Sequence, residues 1–168
     1  MPLTQPLPRA VSTILTACYP ALVGIANRWN ETMGFAQRFS DTISRKAGPW
    51  QPEQALSHPW FLDLKEEDYV ALHQRPPGDG GFPFKITLML SSPENYTGGE
   101  LVMTEQRPRM QSRPMVVRLA SGDAVISTES YRPFKGRKGF YRVNFKHAVS
   151  RVRTGQRVTL ELRFNHVA

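Results

Sequence analysis

The chain has 168 residues, enough for one domain with a buried core and too few for two ordinary domains. Its single cysteine, Cys18, excludes an intrachain disulfide, so the fold does not depend on an oxidising compartment. The formal net charge is +8, and residues 107–163 carry fourteen Lys and Arg against three acidic residues. Such a field attracts anions, nucleic acid among them, although a plain basic surface is the favoured interpretation.

The N-terminal part predicts helices. Residues 1–10 contain three prolines and are expected to form an irregular lead-in to a helical region over residues 11–47. Proline starts a helix well and breaks one in its interior, so the first helix is expected to begin at Pro20. Gly34 is expected to kink or end it, and a second helical piece is predicted over residues 35–46.

No stretch approaches 18 apolar residues, so no transmembrane helix is expected. The segment Leu15–Cys18 is similar to a lipoprotein cleavage site. The apolar segment before it is short, however, and its positive flank is a single Arg9, so an ordinary helix is preferred. We therefore expect a cytoplasmic protein without a membrane partner.

Short strands are predicted over residues 58–168, within a single domain that spans residues 1–168. Turns rich in Gly, Pro, Asn and Ser separate them, and no helix alternates with strand, which favours a sandwich or barrel. The last strand places alternate apolar residues, from Val158 to Phe164, on one face. The predicted strands are Trp60–Leu64, Asp68–His73, Lys85–Leu90, Leu101–Thr104, Met115–Leu119, Asp123–Ser127, Gly139–Phe145 and Arg157–Phe164.

Four residues in this part are candidates for a metal centre with an anion clamp. His73 ends one predicted strand, and His147 follows another. Two imidazoles and one carboxylate on one face hold Fe(II) and leave coordination positions open. Arg157 comes ten residues after His147, and Thr159 follows on the same alternation. The guanidinium fork of arginine matches a carboxylate in two parallel hydrogen bonds.

From about Ile25 to the C-terminus the sequence resembles bacterial 2-oxoglutarate/Fe(II) oxygenases of the prolyl-4-hydroxylase-like branch. The resemblance implies a double-stranded β-helix with N-terminal helices packed outside it. It also implies Fe(II) on His73 and His147, and 2-oxoglutarate held by Arg157 with support from Thr159. Members of this family couple conversion of 2-oxoglutarate to succinate with hydroxylation by O2. The matching stretches are Ala26–Trp29, Leu72–Gln74, Phe82–Phe84, Tyr96–Leu101, Thr104–Ser112, Gly122–Val125, Tyr141–Asn144 and His147–Arg151.

The chain departs from the family at the metal carboxylate. The family has His-Gln-Asp where this chain has His73-Gln74-Arg75, and a guanidinium neither ligates iron nor tolerates it nearby. Three interpretations stay open. Asp79 in the glycine-rich loop supplies the third ligand, or two histidines and 2-oxoglutarate suffice, or the metal site is lost and the pocket survives for binding.

The predicted function is that of a 2-oxoglutarate- and Fe(II)-dependent dioxygenase acting on a protein side chain or a small molecule. Substrate choice is expected to lie in residues 75–82 and 128–139. The alternative is a catalytically impaired module of the same fold that holds an anionic partner on its basic surface. A cupin-like barrel with a different metal is disfavoured, because Glu53 and Glu66 are poorly placed to complete its ligand set.

Overall fold

The computed structural model of the chain describes residues 8–40, 59–75 and 82–164. Within these ranges the chain forms one α-helix, α1 (Arg9–Thr32), and ten β-strands. The strands are β1 (Trp60–Lys65), β2 (Val70–His73), β3 (Phe84–Met89), β4 (Tyr96–Gly98), β5 (Leu101–Gln106), β6 (Arg113–Val117), β7 (Ala124–Thr128), β8 (Tyr131–Gly136), β9 (Gly139–Val149) and β10 (Val152–Arg163).

The strands form two antiparallel five-stranded sheets. The first sheet has the order β1-β10-β3-β7, with β4 also on β10, and the second has the order β2-β9-β5-β6, with β8 also on β9. Contacts between the sheets include Leu64 of β1 with Val149 of β9, and Val125 of β7 against the cluster around Phe145 of β9. The expected mainly-β double-stranded β-helix with helical structure packed outside is confirmed.

Helix α1 corrects the predicted N-terminal boundaries. It begins at Arg9 and runs through Pro20, so the lead-in to residue 10 and the start at Pro20 were wrong. An interior proline costs about 3 kcal/mol, but burying one large apolar side chain returns about 1.5–3 kcal/mol. A buried apolar stripe continues across the proline and outweighs its cost. Its members are Val11, Leu15, Tyr19, Leu22, Val23 and Ala26.

The helix ends near the predicted breaker. Gly34 has a φ of 76°, the left-handed conformation that commonly terminates helices, and its N–H donates to the carbonyl of Glu31. Residues 35–40 then run without regular structure, which contradicts the first part of the second predicted helical piece. The remainder of that piece, residues 41–46, lies outside the described residues.

By length and composition α1 is apolar enough to cross a membrane, contrary to the expectation from sequence, and it is the one such helix among residues 8–40, 59–75 and 82–164. Its stripe packs on the outer face of the first sheet, where Phe84, Ile86 and Leu162 belong to the same core cluster. Cys18 packs against this cluster from within α1, which agrees with the ordinary-helix interpretation of its segment.

Strand boundaries differ from prediction where pairing partners are distant. Strand β9 continues to Val149, so His147 lies inside a strand and not after one. Strands β4 and β8 were missed, and β8 contains Pro133, a residue that argues against a strand when only the sequence is read. The extent of the single domain over residues 1–168 stays a prediction.

Strand β10 contributes side chains to the hydrophobic core on one face and to the barrel interior on the other. Leu160, Leu162 and Phe164 face the α1 side, as the apolar alternation predicted. Side chains alternate across a strand, so Arg157, Thr159, Glu161 and Arg163 lie on the opposite face, toward the second sheet. One strand therefore carries both the hydrophobic core and a row of polar groups inside the barrel.

Candidate dicarboxylate and metal site

The two candidate histidines are neighbours across a strand pair. His73 on β2 and His147 on β9 are Cα partners, and their ring centroids lie 4.3 Å apart at an interplanar angle of 64°. The Nδ1 atom of His73 is 2.9 Å from the carbonyl oxygen of Ala71. A carbonyl oxygen only accepts, so Nδ1 is the donor in this hydrogen bond. The pair that the sequence predicted is therefore brought together.

His147 is a buried, neutral imidazole. It is 4% exposed, and neither ring nitrogen has a hydrogen-bond partner among the described residues. Burial lowers the pKa of His147 to about 3, and the positive charges of Lys85 and Arg163 add to the effect. At neutral pH this imidazole is uncharged and can act as a ligand or as a hydrogen-bonding group.

Arg75 forms an ion pair with Glu129. The Nη1 atom of Arg75 donates to Oε2 of Glu129 at 2.8 Å, and the backbone N–H of Arg75 donates to the carbonyl of Glu129 at 3.2 Å. The side chain of Glu129 is 4% exposed. The family resemblance assigns this position to the metal carboxylate. Here the position holds a cation, which is paired with a buried carboxylate. Asp79 lies outside the described residues.

The Arg75–Glu129 pair is one end of a chain of five ionised residues, which we call the charge chain. Arg163 Nε lies 2.9 Å from the other carboxylate oxygen of Glu129, and Arg163 Nη2 lies 3.2 Å from Oε2 of Glu161. Lys85 Nζ donates to Oε1 of Glu161 at 2.8 Å. The chain therefore contains three cations and two carboxylates, and it links the end of β2 in the second sheet to β3 and β10 in the first.

Sequence reasoning missed four members of the charge chain. A signal existed in two of them, because Lys85 lies in a strand that is otherwise uncharged, and Glu161 lies at an inward position of β10. An ionised residue at a buried position needs a partner of opposite charge. The missing information was the pairing itself, because Lys85 and Glu161 are 76 residues apart.

The described residues do not fit an iron centre of two histidines and a carboxylate. No group of three or more His, Cys, Asp and Glu within the described ranges is arranged to share a metal ion. Glu129 and Glu161 are each tied to two cations of the charge chain. The donor set is two imidazoles, and the roles of His73 and His147 as metal ligands stay predictions.

Arg157 fits a carboxylate-containing ligand. Its side chain lines a cavity of about 530 Å³ between the sheets, together with Tyr96, Gly99 and Leu101. Arg157 is 1% exposed, and its Nε and Nη1 atoms have no hydrogen-bond partner in the part of the chain that the structure describes. Burial lowers the pKa of Arg157, and the neighbouring Tyr96 opposes this shift. Two unpaired donors of a buried guanidinium suit a ligand carboxylate.

Thr159 follows Arg157 on the inward face of β10. It is fully buried, and its hydroxyl oxygen has no hydrogen-bond partner within residues 8–40, 59–75 and 82–164. Thr159 is not among the described residues that line the cavity. Its support for Arg157 stays a prediction. Gly99 belongs to the site, because its backbone lies against the Arg157 side chain. From the sequence alone this glycine looks like an ordinary turn residue.

Residues 3–167 match the family named Oxygenase-NA, which is described as an oxygenase catalysing oxidative methylation of damaged DNA. The chain belongs to this family. The match covers nearly all of the chain and confirms the oxygenase resemblance drawn from the sequence motifs.

The Oxygenase-NA chain has curated relatives and solved structural neighbours. It is 33% identical over 165 residues to an uncharacterized protein of Mycobacterium tuberculosis, found in strains CDC 1551 / Oshkosh and ATCC 25618 / H37Rv. The match covers 97% of this chain and 71% of the relative.

Two solved structures are similar to the chain. The first is an oxidoreductase of the 2OG-Fe(II) oxygenase family from Burkholderia pseudomallei, with a TM-score of 0.47, 16% identity, and coverage of 66% of this chain and 43% of that one. The second is a Pseudomonas putida prolyl-4-hydroxylase, with a TM-score of 0.47, 17% identity, and coverage of 68% and 56%. The chain spans about half the length of these two proteins.

Proposed function

We propose that this oxygenase-family chain binds 2-oxoglutarate, or a closely similar dicarboxylate, and acts on nucleic acid. The observation that carries the first part is the buried Arg157 guanidinium, which presents Nε and Nη1 without partners at a cavity of about 530 Å³. A buried donor without a partner lowers the unfolding free energy by about 1–3 kcal/mol. Proteins keep such costs at functional sites, where a ligand supplies the missing acceptor. A carboxylate oxygen can accept from such a donor.

Isothermal titration calorimetry with 2-oxoglutarate tests the binding proposal. Wild-type protein is expected to bind one equivalent, and Arg157→Met is expected to abolish binding while the fold is retained. Arg151→Met is the matched control, because Arg151 is an exposed arginine in an ion pair with Glu67. Equal affinity in wild type and Arg157→Met would rule out the proposed clamp.

Nucleic acid is the second part of the proposal, in place of the protein side chain or small molecule expected from sequence. The family description mentions damaged DNA, and exposed cations lie along the second sheet and its turns. Neutralising phosphates with such residues gives salt-dependent affinity. The cations in question include Arg109, Arg113, Arg137 and Lys138.

Fluorescence anisotropy with single-stranded and duplex DNA, alkylated or intact, tests this partner. The double variant Arg137→Glu/Lys138→Glu is expected to weaken binding by about tenfold or more and to reduce the salt dependence, with Arg151→Glu/Arg153→Glu, at two other exposed arginines, as a charge-matched control. Binding that is insensitive to salt and to both variants would count against nucleic acid. Tighter binding to alkylated than to intact DNA would support damaged DNA as the substrate class.

The dioxygenase reaction expected from sequence is the second candidate function. The observation that favours it is the convergence of His73 and His147, since both ring nitrogens of His147 lack a hydrogen-bond partner among the described residues. When bound, Fe(II) would supply the activation of O2, while this chain's residues would hold 2-oxoglutarate and the substrate. In this candidate the third ligand comes from outside the described residues, where Asp79 is the carboxylate proposed for that role, or else two histidines and 2-oxoglutarate suffice.

Succinate formation from 2-oxoglutarate under Fe(II) and O2 tests the second candidate. If the candidate is right, wild type produces succinate, and Asp79→Ala loses this activity while still binding 2-oxoglutarate. Production of succinate that survives both Asp79→Ala and His147→Ala would assign it to free iron. No succinate from a wild-type protein that binds 2-oxoglutarate would leave the binding proposal standing alone.

A further inference from the structure

We infer that the dicarboxylate site at Arg157 works without a metal ion. The ion pairs of the charge chain connect the two sheets inside the barrel, as a metal ion would otherwise do. The inference rests on the proposed binding of 2-oxoglutarate and deepens it. It makes the ligand a dicarboxylate held by protein cations alone. Three independent observations on the described residues support it.

The first observation concerns the carboxylates that a metal would need. Glu129 lies within ion-pair distance of Arg75 and Arg163, and Glu161 of Lys85 and Arg163, at 2.8–3.2 Å, and the contact of Arg163 Nε with Oε1 of Glu129 lacks hydrogen-bond geometry. Both acids are mostly buried, with side-chain exposures of 4% and 15%. Breaking a buried ion pair leaves an uncompensated charge, so a metal would have to displace a paired cation before it gained a ligand.

The second observation concerns the charge around the imidazole pair. Lys85 and Arg163 are close enough to act electrostatically on His147, where Glu161 opposes them. The charge chain as a whole has one more cation than it has carboxylates. A divalent cation bound to the buried His147 imidazole would therefore meet repulsion from Lys85 and Arg163 at a site of low dielectric, where such repulsion is strong. In a centre built for Fe(II) a carboxylate supplies the opposite sign.

The third observation concerns the cavity. Its described lining includes Arg157, Tyr96 and Gly99, but neither His73 nor His147. A carboxylate can therefore reach the Arg157 guanidinium through space that does not contain the imidazole pair. The clamp and the imidazole pair are separate features in this barrel, so binding at one does not require a metal at the other.

The charge chain also supplies the connection that a metal would otherwise make. Arg75 follows β2 of the second sheet, whereas Lys85 and Glu161 lie on β3 and β10 of the first. Four ion pairs in series therefore join the two sheets through side chains. The protein therefore folds, and forms the Arg157 site, without a bound metal ion.

The test measures 2-oxoglutarate affinity by calorimetry on the full chain in three conditions: with EDTA, anaerobically with Fe(II), and with Mn(II) as a redox-stable probe. The expected dissociation constants agree within about twofold in all conditions. Arg157→Met is expected not to bind 2-oxoglutarate in any of these conditions, and Arg151→Met, at an exposed residue outside the site, is expected to bind it with the wild-type affinity. In parallel, Mn(II) added to wild-type protein is expected to keep the electron paramagnetic resonance spectrum of the free ion.

Each other outcome decides between the two proposals. If Fe(II) or Mn(II) tightens 2-oxoglutarate binding by tenfold or more, and His147→Ala removes that gain, the metal-free inference is overturned while 2-oxoglutarate binding stands. If no condition gives binding, both proposals fail. A stoichiometric protein-bound Mn(II) signal that is lost in His147→Ala also overturns the inference, whatever the 2-oxoglutarate affinity.

Discussion

The backbone of Gly99 lies against the side chain of Arg157, so closely that a Cβ on Gly99 would come 2.8 Å from Cδ of Arg157. Gly99 has a φ of 64°, a conformation that glycine adopts without strain. This contact holds the arginine stem in place below the cavity. A substitution at Gly99 therefore reaches the ligand site through Arg157.

Gly99→Ala is expected to lower the 2-oxoglutarate affinity by about tenfold, since the new methyl group displaces the Arg157 side chain. Gly122→Ala is the matched control, because Gly122 has a φ of 87° and open space where a Cβ would lie. Both variants should lose about 1–2 kcal/mol of unfolding free energy from the left-handed backbone. Calorimetry separates them, and equal 2-oxoglutarate affinities would show that Gly99 does not position Arg157.

Arg157→Met is expected to bind no 2-oxoglutarate and to be as stable as wild type or more stable. The reason is that the guanidinium is buried with two donors lacking partners in the described part of the chain, and its removal relieves a cost of about 1–3 kcal/mol. Urea unfolding measures the free energy. Arg163→Met is the comparison, and it should be destabilised, because Arg163 pairs with both Glu129 and Glu161. A loss of stability in Arg157→Met equal to that in Arg163→Met would mean that Arg157 is structural.

The strands with apolar alternation were predictable from sequence, and β10 is the clearest example, since Leu160, Leu162 and Phe164 pack as the pattern indicated. The start of helix α1 was not predictable, because local chemistry at Pro20 argued for a break and only tertiary packing of the stripe overrides it. The replacement at Arg75 was visible in the motif. Its partner Glu129 was not, because the two residues are 54 positions apart and meet only through the barrel.

Glu161→Leu is expected to be the most damaging single change in the charge chain. It leaves the Lys85 ammonium, whose side chain is 2% exposed, without its carboxylate, which costs about 3–5 kcal/mol. Lys85→Met should cost less, because Glu161 keeps Arg163. The double variant Lys85→Met/Glu161→Leu should recover much of the loss of Glu161→Leu. Urea unfolding gives all three values, and additive losses in the double variant would show that the two residues do not interact.

His147 is expected to make the protein less stable as the pH falls. Its pKa is about 3 in the folded protein and about 6.5 in the unfolded chain, so between these values the unfolded state binds the additional proton. The unfolding free energy attributable to His147 is thus fully retained above about pH 6.5. Below it the free energy falls by up to about 1.4 kcal/mol per pH unit, until the folded group titrates.

The difference between wild type and His147→Gln, measured by urea unfolding at several pH values, isolates this effect from the carboxylates that also titrate in acid. The variant should lack the part of the slope that belongs to residue 147. Ala148→Ser, a substitution at the neighbouring, half-buried position, should keep the wild-type slope. Identical slopes in wild type and His147→Gln would mean that the imidazole is protonated equally in both states.

The alternation of β10 has a consequence for folding. A shift of one residue in its pairing with β1 and β3 would exchange its two faces, turning four polar or ionised side chains toward α1 and three large apolar ones toward the ligand cavity. In the shifted register neither face of β10 would meet side chains of matching polarity. The final strand can therefore dock in one alignment only, and the assembly of its apolar layer fixes in the same event the direction in which the binding arginine points.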